Sequence, residues 1–240
     1  MRTLFLTAAL AMTACTAGAQ SGQSGDSAAG ARTSRNFQVG AFDKINLAGS
    51  PDVVVAVGGQ PSVRAEGDAA DLERLEITVV DGELRIGMRP GSSSWFGSHR
   101  GITVHVTVPS LQAAAIQGSG DLNIDRVQGQ AFSASVGGSG DLDVSQLRVA
   151  NATFSLTGSG GIRAAGTGQR TNASVTGSGD IDLSGLQVAD ATLAVTGSGD
   201  VSAHASGTAA IQIQGSGDVT VSGGAHCTIS KAGSGEAHCG

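Results

Sequence analysis

Five aspartates, Asp121, Asp141, Asp180, Asp200 and Asp218, each directly follow a Gly-Ser-Gly tripeptide. Carboxylates recurring at a fixed spacing are what a calcium ladder would need, and glycine-aspartate arrays of nine residues bind Ca²⁺ in β-rolls. Here the spacing is about twice that, each unit offers a single acid at the turn, and the series is interrupted where Gly161 stands in place of aspartate. Like charges one coil apart repel by only about 1 kcal/mol in water, so solvated aspartates capping turns are tolerable without a metal. The expected role is therefore structural, with no cofactor.

Other chemistries find less support. A dinucleotide fingerprint needs a glycine three residues after the second glycine of each tripeptide, where the chain has Asn123, Asp143, Arg163, Asp182, Ser202, Thr220 and His238. No serine falls in G-x-S-x-G, and neither H-E-x-x-H nor a P-loop is present. His99, His105, His204, His226 and His238 are dispersed. Many β-helix proteins cleave polysaccharides, so a lyase or hydrolase is the alternative reading. Such sites usually add aromatic platforms, yet this chain has one Trp, six Phe and no Tyr. The repeats retain only Phe132 and Phe154, at strand positions that face inward if the alternation holds. No catalytic residue is assigned.

The elements that would position these residues follow from the period. Gly-Ser-Gly begins at Gly118, Gly138, Gly158, Gly177, Gly197, Gly215 and Gly233, at intervals of 20, 20, 19, 20, 18 and 18 residues. A fixed period of this length marks a solenoid, in which each coil buries its apolar face against its neighbours. Apolar residues alternate with small polar ones on both sides of the tripeptide, as in Phe154 and Leu156 before it and Ile181 and Leu183 after it. Period two means strands, and the unit leaves no room for an ordinary helix. The predicted fold is an all-β helix with two or three short strands per coil. The turns are Gly118 and Gly120 ahead of Asp121, Gly138 and Gly140 ahead of Asp141, Gly177 and Gly179 ahead of Asp180, Gly197 and Gly199 ahead of Asp200, and Gly215 and Gly217 ahead of Asp218. Glycine reaches the positive φ that such bends require, and serine and aspartate can satisfy turn amides.

Residues 37–110 lack the regular repeat, although Gly49-Ser50-Pro51-Asp52, followed by Val53, Val55 and Val57, reads as a degenerate copy of turn and strand. Strands are expected at 62–65, 75–80, 83–87 and 102–108, with a helical turn at 69–74. Val80-Asp81-Gly82-Glu83 reads as a type I′ hairpin. This region is expected to cap the first coil of the β-helix at 111–240 and to share its core. The loop at 91–100 carries Trp95 and Phe96, which either fold back onto the cap or form an interaction site.

At the amino terminus, Arg2 and the apolar run Leu4 to Ala14 precede Ala17-Gly18-Ala19, which reads as a signal peptide over 1–19. Met12-Thr13-Ala14-Cys15 gives a competing reading as a lipobox with lipidation at Cys15, although leucine is usual where Met12 stands. Either reading exports the protein, to the periplasm, outer membrane or medium of a bacterium. Residues 20–36, rich in Ser, Gly, Ala and Gln, read as a flexible tether, and no later segment is apolar for long enough to span a membrane. With Cys15 in the leader, Cys227 and Cys239 remain as an even pair in an oxidising compartment. Both occupy inward register positions, so a disulfide stapling the final coil is expected, ahead of free thiols or a metal site with His226 and His238. Lys231 holds an inward position used by Val195 and Ile213 in earlier coils, which marks the last coil as a terminus. A net charge of −6 without a basic cluster argues against nucleic acid.

Several of these segments together carry a resemblance: Phe42-Asp43-Lys44-Ile45, Gly49-Ser50-Pro51-Asp52-Val53-Val54-Val55, Asp81-Gly82-Glu83-Leu84-Arg85-Ile86, Val106-Thr107-Val108-Pro109 and the Gly-Ser-Gly-Asp series. From about residue 37 onward the chain resembles the head GIN domain family of bacterial envelope proteins, described as autotransporter-type adhesins and also catalogued as a domain of unknown function. The resemblance implies a right-handed β-helix and an exported protein, and it supplies no catalytic residues. The expected function is a non-enzymatic, adhesin-like binding or structural module whose partner is a cell-surface polymer or protein, with side-by-side homo-oligomers open.

Overall fold

The period-two alternation read from the repeats is the organising feature of the computed structural model, which describes residues 32–89 and 101–240. The first half contains β1 (Arg32–Phe37), β2 (Lys44–Gly49), β3 (Asp52–Val57), β4 (Ser62–Asp68), α1 (Ala69–Arg74), β5 (Leu75–Val80), β6 (Glu83–Met88) and β7 (Thr103–Val108). The repeats supply β8 (Ala113–Gly118), β9 (Leu122–Ile124), β10 (Val127–Gly138), β11 (Asp141–Gly158), β12 (Gly161–Gly177), β13 (Asp180–Gly197), β14 (Val201–Gly215), β15 (Val219–Ser222), β16 (His226–Gly233) and β17 (Ala237–Cys239). All the strands belong to one continuous sheet wound into a solenoid, and from β8 onward every pairing is parallel.

One coil shows why it closes. In β11, Leu142 and Val144 are buried, then Leu147 and Val149, then Ala152, Phe154 and Leu156. The alternation skips at Ser145-Gln146, again at Ala150-Asn151, and ends at Gly158-Ser159-Gly160. Each skip keeps the next apolar residue pointing inward while the chain bends, so the coil has three faces and three corners. The narrow core has space for few rings: the register sets Phe132 against Ala152 and Ala134 against Phe154, so each ring packs on a methyl of the adjacent coil.

Variation in coil length is confined to two corners. Between β11 and β12 the register shifts between Val144 and Leu147, and between β13 and β14 it shifts after Leu183 and after Val188. The third face and the Gly-Ser-Gly corner keep unbroken register, Gly118 to Gly138 to Gly158 to Gly177 to Gly197 to Gly215 to Gly233.

The first half matches the sequence-based strands and the helical turn, and its hairpin has positive φ at both Asp81 (53°) and Gly82 (75°), as a type I′ turn demands. It is more than a cap. β2 pairs in parallel with β8 on one side and β6 on the other, and β3 likewise with β9 and β7. The Gly49-Ser50-Pro51-Asp52 turn thus lies in the coil stack, with Gly49 in register with Gly118. Space and sequence disagree here: β6 and β7 stack outside β2 and β3, and the chain then passes back to β8. Antiparallel strands close the outer edge, β5 on β6, β4 on β7 and β1 on β4. The tether expected to reach residue 36 ends earlier, because Arg32–Phe37 forms an edge strand. Its polar residues face solvent on both sides, which leaves no apolar alternation to read. Edge charges, Arg32 and Arg35 on β1 and Glu76 on β5, guard against further pairing. One continuous core runs from Phe42 to Val221.

Candidate binding surface

The Gly-Ser-Gly corner is held by the coil before it. In the turn at Gly158, the amides of Ser159 and Gly160 both donate to the carbonyl of Gly138, at 2.9 and 3.1 Å, and the same pair of bonds recurs along the stack. The first glycine of each tripeptide has positive φ, 128° at Gly158, which fits the conformational reading. The second is required for a different reason. A Cβ on Gly160 would collide with the carbonyl oxygen of Gly140, and each equivalent glycine meets the backbone beneath it in the same way.

The aspartates do cap turn amides, but across coils. Asp121 Oδ1 accepts from the amide of Asp141 at 3.0 Å, Asp180 from Asp200 at 2.9 Å, Asp200 from Asp218 at 2.8 Å and Asp218 from Glu236 at 2.8 Å. Asp52 extends the ladder into the first half by accepting from Asp121 at 3.3 Å. At Gly161 the side chain is missing, and the Asp180 amide donates instead to the carbonyl of Gly160 at 3.3 Å.

That gap opens a surface groove of about 400 Å³ lined by Asp121, Asp141, Asp143, Arg163, Asp180 and Asp182 among others. Here the sequence-predicted turn carboxylates come closest to a site. Asp182 titrates below the usual aspartate range, chiefly because the Ser184 hydroxyl donates to it at 2.6 Å, slight burial opposing and the Ser184 amide and Arg163 assisting. Among the described residues no three carboxylates, imidazoles or thiols are arranged to hold a metal ion.

The three faces differ in chemistry. The first carries the aspartate ladder and beside it the column Asn123, Asp143, Arg163, Asp182, Ser202, Thr220 and His238, with Arg163 paired to Asp182 at 3.4 Å. The second presents Gln128, Arg148, Thr167 and Gln187, and the corner beyond it pairs Arg170 with Asp190 at 3.9 Å. The third is uncharged from β8 onward in its outward columns, which reach Lys44 on β2 and Glu83 and Arg85 on β6 only in the first half. Its outward columns between β10 and β16 hold Ser133, Thr153, Asn172, Thr192, Ala210 and Thr228; Ser135, Ser155, Ser174, Ala194, Gln212 and Ser230; and Gly137, Thr157, Thr176, Thr196, Gln214 and Ala232. Most of these side chains are exposed, and the Ser174 hydroxyl donates to that of Ser155 at 3.5 Å. Reading the chain as repeats located the turns. Finding this face needed only the outward positions compared coil by coil, since every charge in the repeats falls elsewhere.

At the far end, Cys227 and Cys239 form a disulfide with Cα atoms 6.5 Å apart. Their register is inward, opposite Ala209 and Val221, but Cys227 is half-buried and Cys239 exposed rather than enclosed. Lys231 lies opposite Ile213 as expected, and its Nζ donates to the carbonyl of Gly235 at 3.3 Å. Cys15, the leader and the Trp95-Phe96 loop lie outside the described residues. Among the described residues no helix is long and apolar enough to cross a membrane.

A family model described as "Putative auto-transporter adhesin, head GIN domain" matches residues 41–225. Solved structures share the fold. A "putative adhesin" from Bacteroides fragilis superposes with a TM-score of 0.79 at 19% identity, covering 87% of this chain and 97% of its own. A "Putative lipid binding protein" from Parabacteroides distasonis gives 0.70 at 22% identity, with 88% and 98% covered. A "putative adhesin" from the same species gives 0.67 at 21% identity, with 88% and 98% covered. None of the curated proteins matches significantly in sequence.

Proposed function

Because the chain belongs to the head GIN domain family of auto-transporter adhesins, we propose that it is an exported, non-catalytic module of the bacterial envelope that binds a cell-surface polymer or protein through the faces of its solenoid. The observation that carries this reading is the lateral repetition of the surface: side chains stand in register from coil to coil on three faces, so a long partner meets the same chemistry again at every step. Of the carboxylates that looked most chemical, Asp121, Asp180, Asp200 and Asp218 are turn caps, each engaged by an amide of the next coil. The leader at 1–19 delivers the chain, cleaved after Ala19 or lipidated at Cys15, and the segment from residue 20 to the start of β1 spaces the solenoid from its point of release or anchorage. Within it, residues 37–110 act with 111–240 as one unit, and Trp95 and Phe96 are a further contact point.

The test is retention on a panel of envelope polymers, namely peptidoglycan, lipopolysaccharide and capsular polysaccharide, with the soluble fraction assayed for sugar ends. Saturable retention without release supports the binding module. Release of unsaturated or reducing ends would overturn it in favour of a polysaccharide-active enzyme, the reading that the groove at Gly161 favours through Asp143, Asp182 and Arg163. Asp143→Asn would then abolish the release. Intact mass settles the leader: a diacyl or triacyl increment on a chain starting at Cys15, or an unmodified chain starting at Gln20.

A further inference from the structure

We propose that the third face is a self-association surface and that two copies of the chain pair through it, antiparallel, about a two-fold axis lying between the coils of β12 and β13. Three observations converge on a second copy as the occupant.

The first is charge. The outward columns of this face contain no ionisable side chain from β10 to β16, so covering it strips no charge of water. Charge resumes at its rims, with the aspartate ladder on one side and the corner column Ala131, Asn151, Arg170, Asp190, Thr208 and His226 on the other, and beyond β8 at Lys44, Glu83 and Arg85.

The second is the order of charges in that corner column. Arg170 and Asp190 occupy adjacent coils, with their side chains largely exposed. A two-fold axis midway between those coils sets Arg170 of one copy beside Asp190 of the other, and the reverse, giving two intermolecular ion pairs from one intramolecular pair. In such an isologous contact, residue i meets j while j meets i. With the axis there, β10, β11 and β12 of one copy lie over β13, β14 and β16 of the other, while the remainder of the face, β8, β2 and β6, extends past the end of the partner. Ser174 then faces Ala194, and Ser155 faces Gln212, whose amide can exchange hydrogen bonds with the hydroxyl.

The third is dimension. Six stacked segments at about 4.8 Å, each some 20 Å long, give about 600 Å² per copy and roughly 1,200 Å² for the pair, the lower bound of stable interfaces. The unbroken register of this face keeps it regular over that length, and a second copy has the same coil spacing by construction, so contacts made at one coil repeat at the next without drift.

This deepens the structural side of the module proposed above and leaves the first and second faces free for a target. Sedimentation velocity on the exported, processed chain from 1 to 200 μM tests it. A concentration-dependent shift from monomer to dimer is expected. Ser174→Glu, which buries a carboxylate near the axis, should weaken the dimer at least tenfold with an unchanged circular dichroism spectrum. Thr167→Glu on the second face should leave it intact. Arg170→Asp alone and Asp190→Arg alone should each weaken association, and mixing the two variants should restore it as a heterodimer although the intramolecular pair stays broken in both, a rescue that a purely structural role for these residues would not produce. A monomer at all concentrations, or a dimer indifferent to Ser174→Glu, overturns the inference. Polymer retention by the monomeric Ser174→Glu variant would show that target binding stands without dimerisation, whereas a dimer that retains no polymer would leave pairing intact and sink the binding reading alone.

Discussion

The Gly-Ser-Gly corner and the corner at Ser145-Gln146 bend the same chain through comparable turns, and they tolerate change in opposite ways. At the first, every coil from Gly118 onward repeats the same three residues in unbroken register, because each amide and each missing Cβ is matched to the backbone one coil below. At the second, coil length varies: β11 spends Ser145-Gln146 before Leu147, β13 spends Ser184-Gly185 before Leu186, and β12 crosses with Ala165 alone to reach Gly166. The first corner repeats its contact with the backbone below at every tripeptide and is fixed by sterics, whereas the second has such a contact at Gly166, over Leu147, and is otherwise fixed by where the next inward residue must land.

The comparison breaks most visibly at a single methyl. Gly160→Ala places a Cβ against the carbonyl of Gly140, and relief requires separating two coils in mid-stack. The expected cost is about 3 kcal/mol or more, on the scale of severe core overpacking, with loss of the cooperative melting transition as the readout. Ala165→Ser, a change of similar size at the tolerant corner, should move the midpoint by less than about 0.5 kcal/mol. Equal effects would mean that the corners do not differ as described.

Next in size is the ladder. Asp200→Ala removes the acceptor of the Asp218 amide, a charge-assisted bond on an exposed edge, and should cost about 1–2 kcal/mol in urea unfolding. The ladder already has a natural interruption at Gly161, where the Asp180 amide turns to a backbone carbonyl, so the loss should stay local. If Asp200→Ala melts the whole solenoid, the carboxylates do more than cap.

How far this was legible in the sequence follows from the same contrast. A corner set by backbone contact needs the same residues every time, so Gly118 to Gly233 and their aspartates announced the solenoid and its turns. That the carboxylates reach into the next coil was hidden, since one repeat read alone cannot say which neighbour its side chain serves. The insertion of β2 and β3 between β6–β7 and β8–β9 was hidden too, because strand alternation reports burial but not stacking order. β1 was missed outright: an edge strand with polar residues on both sides has no period to detect. The disulfide pairing was legible from register, but the exposure of Cys239 was not, because register reports which way a residue points and not what covers it.

The third face inherits its regularity from the fixed corner, and between β10 and β14 its one inward polar residue is Thr171, buried between Ala152 and Ala191 with its hydroxyl unpartnered. Thr171→Val keeps the shape and removes the orphaned group. A gain of about 1 kcal/mol is expected by thermal unfolding, the size of a relieved buried hydroxyl. A loss would mean that the hydroxyl is satisfied in the folded protein and that the face owes some of its order to it.

The smallest expected effect sharpens the comparison most, because it adds atoms where the fixed corner admits none. Replacing Ala165-Gly166 with Ser-Gly-Leu gives the coil of β12 the corner used by β13 and lengthens it from 19 residues to 20. Gly166 lies in register between Leu147 and Leu186 with a positive φ of 137°, so the buried column has lost a side chain there and the backbone is bent to compensate. The new leucine would rejoin Leu147 and Leu186, with burial contributing about 1.5–3 kcal/mol. Ordering one more residue and the leucine side chain takes back most of it, at about 1–2 kcal/mol for backbone and about 0.5–1 kcal/mol for side chain. The net expectation is a gain of no more than about 0.5 kcal/mol, read as a melting midpoint equal to or slightly above that of the parent. A marked loss would show that the short coil is held by its own constraint at Gly166 and that the second corner is as fixed as the first.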